Sequence, residues 1–217
     1  MTWPRGLLSN AYSRAGRAAQ NARGRGALGR LGYHRLFDLR PPNSIPPVWG
    51  DLWHLYQTVL ERKPSLILEF GSGCSTIIMA QGLVDNGTKD PAKIVSLESE
   101  SRWAKISETT IPDALGQFVE IIVAPVDKAE HSGVPVWRHQ KVPVGAPDLV
   151  YLDGPALTPD RKIAVDMLDM EDRLAPGTRL IVDGRSRNCR FLADEFSRRW
   201  SRSWNRFTKQ TTFDLLA

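Results

Sequence analysis

At 217 residues the chain suits one domain, or one domain with an appendage, and its 41% hydrophobic and 24% charged residues are ordinary for a globular protein. No apolar run approaches the roughly 20 residues needed to cross a bilayer, so no transmembrane helix is expected. Cys74 and Cys189 show neither metal-ligand spacing nor a disulfide framework, which predicts a reducing, cytoplasmic setting. The net charge of +5 belongs to one end, because seven arginines (Arg5, Arg14, Arg17, Arg23, Arg25, Arg30 and Arg35) precede the first acidic residue, Asp38.

That stretch, residues 1–40 and acid-free before Asp38, reads first as a solvated or loosely ordered basic arm. Two other readings stand beside it: a helix drawn to a membrane surface or nucleic acid, and an Arg-rich transit segment. Gly6-Leu7-Leu8 is too short for a secretory core. A proline cluster, residues 41–47, cannot continue a helix and reads as a linker. The domain proper is expected over 48–217, where charges nearly balance.

Val48 to Arg62 carries Trp49, Leu52, Trp53, Tyr56, Val59 and Leu60 at three-and-four spacing, the mark of an amphipathic helix. Strand and helix patterns then alternate. Strands are predicted at 66–70, 93–97, 118–123, 149–152 and 179–182, and helices at Ser75–Leu83, Arg102–Thr109, Arg161–Leu174 and Asn188–Trp200. Ser203–Phe207 and Thr212–Leu216 fit two closing strands. The polar stretch 128–147, with His131 and His139, reads as a loop able to form a lid. Alternating units of this kind imply an α/β fold with a doubly wound, mostly parallel sheet. Ligands in such folds bind beyond the carboxyl ends of the strands, where strand order reverses.

The strongest local signal follows the first of these strands: Glu69-Phe70-Gly71-Ser72-Gly73-Cys74-Ser75-Thr76. Two glycines let the backbone turn sharply and approach a ligand, and the next helix offers free N–H groups. A dinucleotide site prefers a third glycine where Thr76 stands, and Glu69 would oppose a pyrophosphate. The turn therefore suits a zwitterionic amino-acid tail, its ammonium facing Glu69 and its carboxylate facing the turn that holds Ser72 and Ser75. Glu98, closing the second strand, can accept hydrogen bonds from two ribose hydroxyls. Asp127, at the exit of the third, offers an adenine contact. Asp153 ends the fourth strand ahead of Gly154-Pro155 and Asp183 ends the fifth, which makes them the catalytic candidates. Trp49 and Trp53 read as packing, or as walls of a pocket. His131 and His139 are candidate bases.

The pattern Glu69-x-Gly71-x-Gly73, an acid at the second strand's end, an aspartate closing the fourth and a terminal strand pair resemble the class I, Rossmann-like methyltransferases over about residues 48–217. The stretches 68–76, Ser-Leu-Glu at 96–98 with Trp103, and Leu-Asp-Gly-Pro at 152–155 with Arg161 resemble a subgroup of poorly characterised predicted methyltransferases. The resemblance implies a seven-stranded sheet with an antiparallel last strand, S-adenosyl-L-methionine as cofactor, and cofactor contacts at Glu69, Gly71, Gly73 and Glu98. It leads to methyl transfer onto an unidentified acceptor, most simply an oxygen of a small molecule or glycan. Asp153 and Asp183 resemble two of three metal ligands in catechol O-methyltransferase-like enzymes, but Gly184 replaces the third. Mg²⁺ held by two carboxylates and waters is thus the lesser alternative, and no metal is assigned. A nicotinamide- or nucleotide-binding enzyme and a non-catalytic module docking through the arm are the competing functions. The acceptor and the oligomeric state are not encoded in any recognisable motif.

Overall fold

The computed structural model describes residues 5–87, 92–143, 145–160 and 163–217, with the backbone alone for 5–12. Short runs of β-branched and leucine residues form a seven-stranded sheet. In chain order its strands are β1 (Leu66–Phe70), β2 (Lys93–Glu98), β3 (Val119–Val123), β6 (Leu149–Leu152), β7 (Arg179–Asp183), β8 (Trp200–Trp204) and β9 (Gln210–Leu215). Their spatial order is β3-β2-β1-β6-β7-β9-β8. Strands β1, β2, β3, β6 and β7 are parallel, and β9 alone runs against its neighbours on both sides. Order reverses between β1 and β6, so the crevice expected of such sheets opens at their carboxyl ends.

Helices cover both faces. On one lie α1 (Arg5–Arg30), α2 (Trp49–Arg62) and α3 (Cys74–Asp85), burying Leu28, Leu55, Val59, Ile78 and Leu83. On the other lie α6 (Asp166–Met170) and α7 (Ser186–Glu195), which bury Met167, Met170, Cys189 and Leu192 against β6, β7 and β9. Helices α4 (Ser101–Thr110) and α5 (Asp113–Gly116) lead from β2 into β3.

Several elements depart from expectation. The N-terminal helical or basic extension, read first as a solvated arm, is a helix through Arg30, and Ala27 and Leu28 are buried. It sits close to α2 because glycines meet there: a Cβ on Gly24 would lie 2.2 Å from the Trp49 carbonyl oxygen, and one on Gly50 would lie 3.1 Å from Gln20 Cγ. Arg14, Arg23, Arg25 and Arg30 remain exposed. The linker is shaped by Arg40, whose Nη1 donates to Ser44 O, Ser44 Oγ and Ile45 O.

The stretch expected as a lid loop holds an antiparallel hairpin, β4 (Val126–His131) and β5 (Val134–His139). Its turn, Ser132-Gly133, has positive φ at both residues (50° and 73°), the geometry that matches strand twist in tight hairpins. The helix expected from Arg161 is short. Ala164 instead bridges to Trp137 and is bracketed by the Asn188 side chain, which donates to its carbonyl and accepts from its N–H. Helix α7 stops at Glu195 because Ser197, Arg198 and Trp200 turn back to bond the Glu171 carboxylate. The last two strands begin two or three residues earlier than expected. Asn205 Oδ1 caps the turn between them by accepting from the N–H groups of Phe207 and Thr208. Among the described residues no helix is long and apolar enough to cross a membrane.

Candidate active site

The buried strand β1 runs directly into Gly71, whose φ of +97° is one that L side chains rarely adopt. A Cβ on Gly71 would sit 2.8 Å from Gly154 N, and one on Gly154 would sit 2.7 Å from Gly71 N. The turns after β1 and β6 therefore touch backbone to backbone. Phe70 O accepts from the N–H groups of both Asp153 (3.0 Å) and Gly154, and Gly71 N–H donates to Leu97 O at 2.8 Å. These bonds gather three strand ends. Beyond them the turn is open, since a Cβ on Gly73 would meet nothing within 4 Å.

Glu69 supports this turn from beneath. It is completely buried, and its oxygens accept from Ser75 Oγ (2.6 Å), Thr76 Oγ1 (2.5 Å) and Ser96 Oγ (2.7 Å). Burial pushes its pKa up to about 7, and the three hydroxyl bonds pull the other way. The sequence reading aimed this carboxylate at a ligand's ammonium group. Both of its oxygens are instead turned to hydroxyls of the protein, and the Ser75 hydroxyl is spent on Glu69. Thr76 also has a role that sequence reasoning missed. Its Oγ1 accepts from Gly73 N–H at 2.9 Å while donating to Glu69, so the missing third glycine is a residue that ties the turn to the buried acid.

Glu98 ends β2 beside the same turn. Its Oε2 accepts from Ser72 N–H and Ser72 Oγ, both at 3.2 Å, and its Oε1 accepts from Glu100 N–H at 3.0 Å and Ser99 Oγ at 3.4 Å. Ser72 Oγ is also 2.8 Å from Ser107 Oγ. The long hydroxyl contacts are ones that a diol can replace.

Asp153 and Asp183 come one step past the last β6–β7 register pair, Leu152–Val182, and so stand side by side. Tyr151, on the same strand face as Asp153, donates its hydroxyl to Asp183 at 3.0 Å. Asp153 is exposed to solvent at the end of β6. Desolvation and then the Asp183 charge raise its pKa to about 6, against the pull of Arg185. Asp183 is raised by desolvation too, while its bond from Tyr151 and the charges of Arg17 and Arg185 oppose the shift. Buried Arg185 does not salt-bridge an aspartate. It donates to the carbonyls of Asp153 and Pro155, fixing the turn after β6.

A third carboxylate, unforeseen from sequence, stands on α2, the helix whose His54 Nδ1 lies 2.6 Å from Gln210 Oε1, and Gln210 pairs with Asp183. Asp51 in the first turn of α2 is 7% exposed, and burial followed by the charges of Asp183 and Asp153 raises its pKa to about 7. Arg17 of α1 and Lys209 oppose the rise. An aspartate in a helix's first turn is ordinary, so the sequence carries no mark that sets Asp51 apart.

The other candidates have partners of their own, and the His139 ring also lies 5.2 Å from that of Phe70. Asp127 is on β4, where its Oδ1 accepts from Gln140 Nε2 at 2.9 Å. His131 contacts Glu195 at 3.1 Å, and His139 is buried against Asp166 at 3.1 Å. Trp49 packs edge-on against Phe37, and Trp53 stacks on Tyr56. Arg161 lies outside the described residues. Among the described residues no group of three or more His, Cys, Asp or Glu side chains is disposed to hold a metal. Gly184 supplies no third side chain beside Asp153 and Asp183, and Asp183 Oδ2 accepts from Tyr151, so no metal is assigned to the pair.

The profile of a family described as a methyltransferase domain matches residues 68–184. No curated protein matches the sequence. Among solved structures, a Podospora anserina methyltransferase bound to S-adenosylhomocysteine is similar at TM-score 0.56 and 15% identity, over 100% of this chain and 98% of the other. A Geobacter sulfurreducens methyltransferase gives 0.51 and 16%, over 89% and 88%. A Bacillus cereus O-methyltransferase in complex with S-adenosylhomocysteine gives 0.50 and 17%, over 92% and 91%. At these identities the likeness is one of fold.

Proposed function

The chain belongs to the methyltransferase-domain family, whose profile spans residues 68–184, and on that premise we propose that it transfers a methyl group from S-adenosyl-L-methionine to an oxygen of a small molecule or glycan. The observation that carries this reading is the backbone contact of Gly71 with Gly154, which brings the open turn at Gly73, the Glu98 carboxylate and Asp153 to one crevice. The fit is chemical as well as spatial. Free N–H groups where α3 begins suit the carboxylate of an amino-acid tail. Glu98 suits the ribose diol, whose hydroxyls replace the long contacts from Ser72 and Ser99.

When bound there, the sulfonium supplies an electrophilic methyl carbon. The chain's own task is to orient the acceptor and take its proton. With the methyl donor bound, Asp153 would take the acceptor hydroxyl's proton as that oxygen receives the methyl group and the carbon–sulfur electron pair returns to sulfur. A carboxylate with a pKa of about 6 is a stronger base than an ordinary aspartate and is largely ionised at neutral pH. Asp183, oriented by Tyr151, holds the acceptor hydroxyl beside it. The Bacillus cereus neighbour, described as an O-methyltransferase, supports oxygen as the acceptor atom. Free Cys74 and Cys189 support a reducing, cytoplasmic setting.

Calorimetry with S-adenosylmethionine and S-adenosylhomocysteine tests the reading. Binding of either in the micromolar range is expected, and no binding of both at millimolar concentration would overturn it. Thermal shift with NAD runs alongside, and a larger shift by NAD than by S-adenosylhomocysteine would favour a nucleotide-binding enzyme instead.

A further inference from the structure

Helix α1 precedes the residues matched by the family profile, yet it helps to wall a cleft of about 280 Å³ against the start of α2. The lining is uneven in kind. Arg17, Gln20 and Asn21 of α1 present hydrogen-bond donors, Pro46 and Phe207 are apolar, and Asp51 is the carboxylate.

Two of these side chains are unspent. The Asp51 carboxylate is nine-tenths buried, lines the cleft, and has no hydrogen-bond or ion-pair partner among the described residues. The Arg17 guanidinium, half-buried on the facing helix, has none either, although its charge reaches Asp51 and Asp183. Asn21 accepts from Gly50 N–H through Oδ1 at 3.2 Å, which leaves its NH₂ group to donate. A buried charge without a contact partner is costly, and a ligand that supplies one recovers that cost on binding.

We propose that this cleft is the acceptor subsite, and that it takes a polyhydroxylated anion whose carboxylate or phosphate meets Arg17 and the Asn21 amide while a hydroxyl beside the reacting one meets Asp51. The proposal rests on the methyl-transfer reading and names its substrate class. Three donor-bearing side chains against one carboxylate suit a ligand rich in acceptor oxygens. One turn beyond Asp51 on α2, His54 Nδ1 lies 2.6 Å from Gln210 Oε1, and Gln210 is the register partner of Asp183, so the helix that carries Asp51 reaches the strand end assigned to the acceptor hydroxyl. With its pKa raised to about 7, Asp51 is part protonated at neutral pH and able to donate to or accept from a hydroxyl.

The test uses the full chain loaded with S-adenosylhomocysteine and NMR titration with three probes: glucuronate, glucose 6-phosphate and neutral methyl glucoside. At least one anion is expected to bind about tenfold more tightly than methyl glucoside, the signature of a charge-assisted contact. Arg17→Gln should abolish that preference, and Arg17→Lys should retain part of it because charge survives while the planar fork is lost. Asp51→Asn should weaken all three probes. S-adenosylhomocysteine affinity should stay within about twofold in every variant, as for independent sites, which also reports that each has folded. Binding of neither anion, or equal binding by wild type and Arg17→Gln, overturns the proposal. If S-adenosylhomocysteine itself fails to bind wild type, the methyl-transfer reading fails. If it binds and the anions do not, only the acceptor assignment fails.

Discussion

On the cofactor side of the crevice, three strand ends are pinned by main-chain bonds, and the acid beneath them has every oxygen occupied by a hydroxyl. On the acceptor side, α1 leans on α2 through Gly24 and Gly50, and the charges that face the cleft, Arg17 and Asp51, make no ion pair among the described residues. The first region is finished before any ligand arrives. The second is completed by one. This division suits an enzyme whose cofactor carries the reactivity: the cofactor's bed is preorganised, and specificity resides where polar groups await a partner. Changes on the cofactor side should therefore cost binding and stability together, whereas changes on the acceptor side should separate them.

The largest effect is expected where two backbones touch. Gly154→Ala would place a Cβ 2.7 Å from Gly71 N and 2.8 Å from both Gly71 Cα and Phe70 C, all main-chain atoms that cannot rotate aside. The turns after β1 and β6 must part, at a cost of about 3 kcal/mol or more. S-adenosylhomocysteine affinity measured by calorimetry should fall by about 100-fold, and the melting temperature should fall with it. A variant that kept wild-type affinity would show that the two turns do not form one site.

Next comes the buried acid. Glu69 has a folded pKa of about 7 against an ordinary 4.5, so the folded chain holds its proton where the unfolded chain releases it. Its contribution to stability is fully present below pH 4.5 and is lost as pH rises through about 7, a total on the order of 3 kcal/mol. Asp51 and Asp153 shift the same way, so the informative quantity is a difference. Between pH 4.5 and 8, urea-derived stability should fall by about 3 kcal/mol more in wild type than in Glu69→Gln. Parallel curves would mean that Glu69 is ionised throughout.

The two regions differ equally in how far sequence reveals them. Gly71, Gly154, Glu98, Asp153 and Asp183 are legible because each combines a residue type with a strand end, and alternating units predict where strands end. The parallel sheet follows from the same alternation, and its antiparallel last strand from the resemblance alone. Thr76 was read only as a glycine that is absent, since a hydroxyl's partner cannot be seen along the chain. The β4–β5 hairpin was signalled by Ser132-Gly133 and by the alternation of Val134 with Val136, but its polar composition masked both. Helix α1 gave least warning. Its outward residues include Ala15, Ala18, Ala19 and Ala22, while its contact with α2 is made by Gly24 as well as Leu28. Small residues on both faces give no amphipathic contrast, and close approach through glycine leaves no apolar stripe. Arg17 and Asp51 line one cleft only because that packing exists.

A smaller effect separates ribose recognition from the rest of the bed. Glu98→Ala removes the acceptor of Ser72 N–H and the group assigned to the diol, so S-adenosylhomocysteine affinity should weaken by about 2 kcal/mol, roughly 30-fold. The acceptor-side preference for anions should survive in the fraction that is loaded. Unchanged affinity would take Glu98 out of the site.

The smallest expected effect carries the clearest sign. In a solvated helix, Gly24→Ala should stabilise by up to about 1 kcal/mol, because alanine is the better helix former. In α1 as it packs, the new Cβ lies 2.2 Å from the Trp49 carbonyl oxygen and 2.9 Å from Gly50 Cα, both main-chain atoms. The helix must lift, which loosens the fully buried Leu28 and costs more than the propensity gain returns. A net loss of about 1 kcal/mol is therefore expected, read as a melting temperature lowered by a few degrees. S-adenosylhomocysteine affinity should be untouched, because none of the strand-end bonds involves α1. A rise in melting temperature would show that α1 is a free arm, and the wall that brings Arg17 opposite Asp51 would go with it.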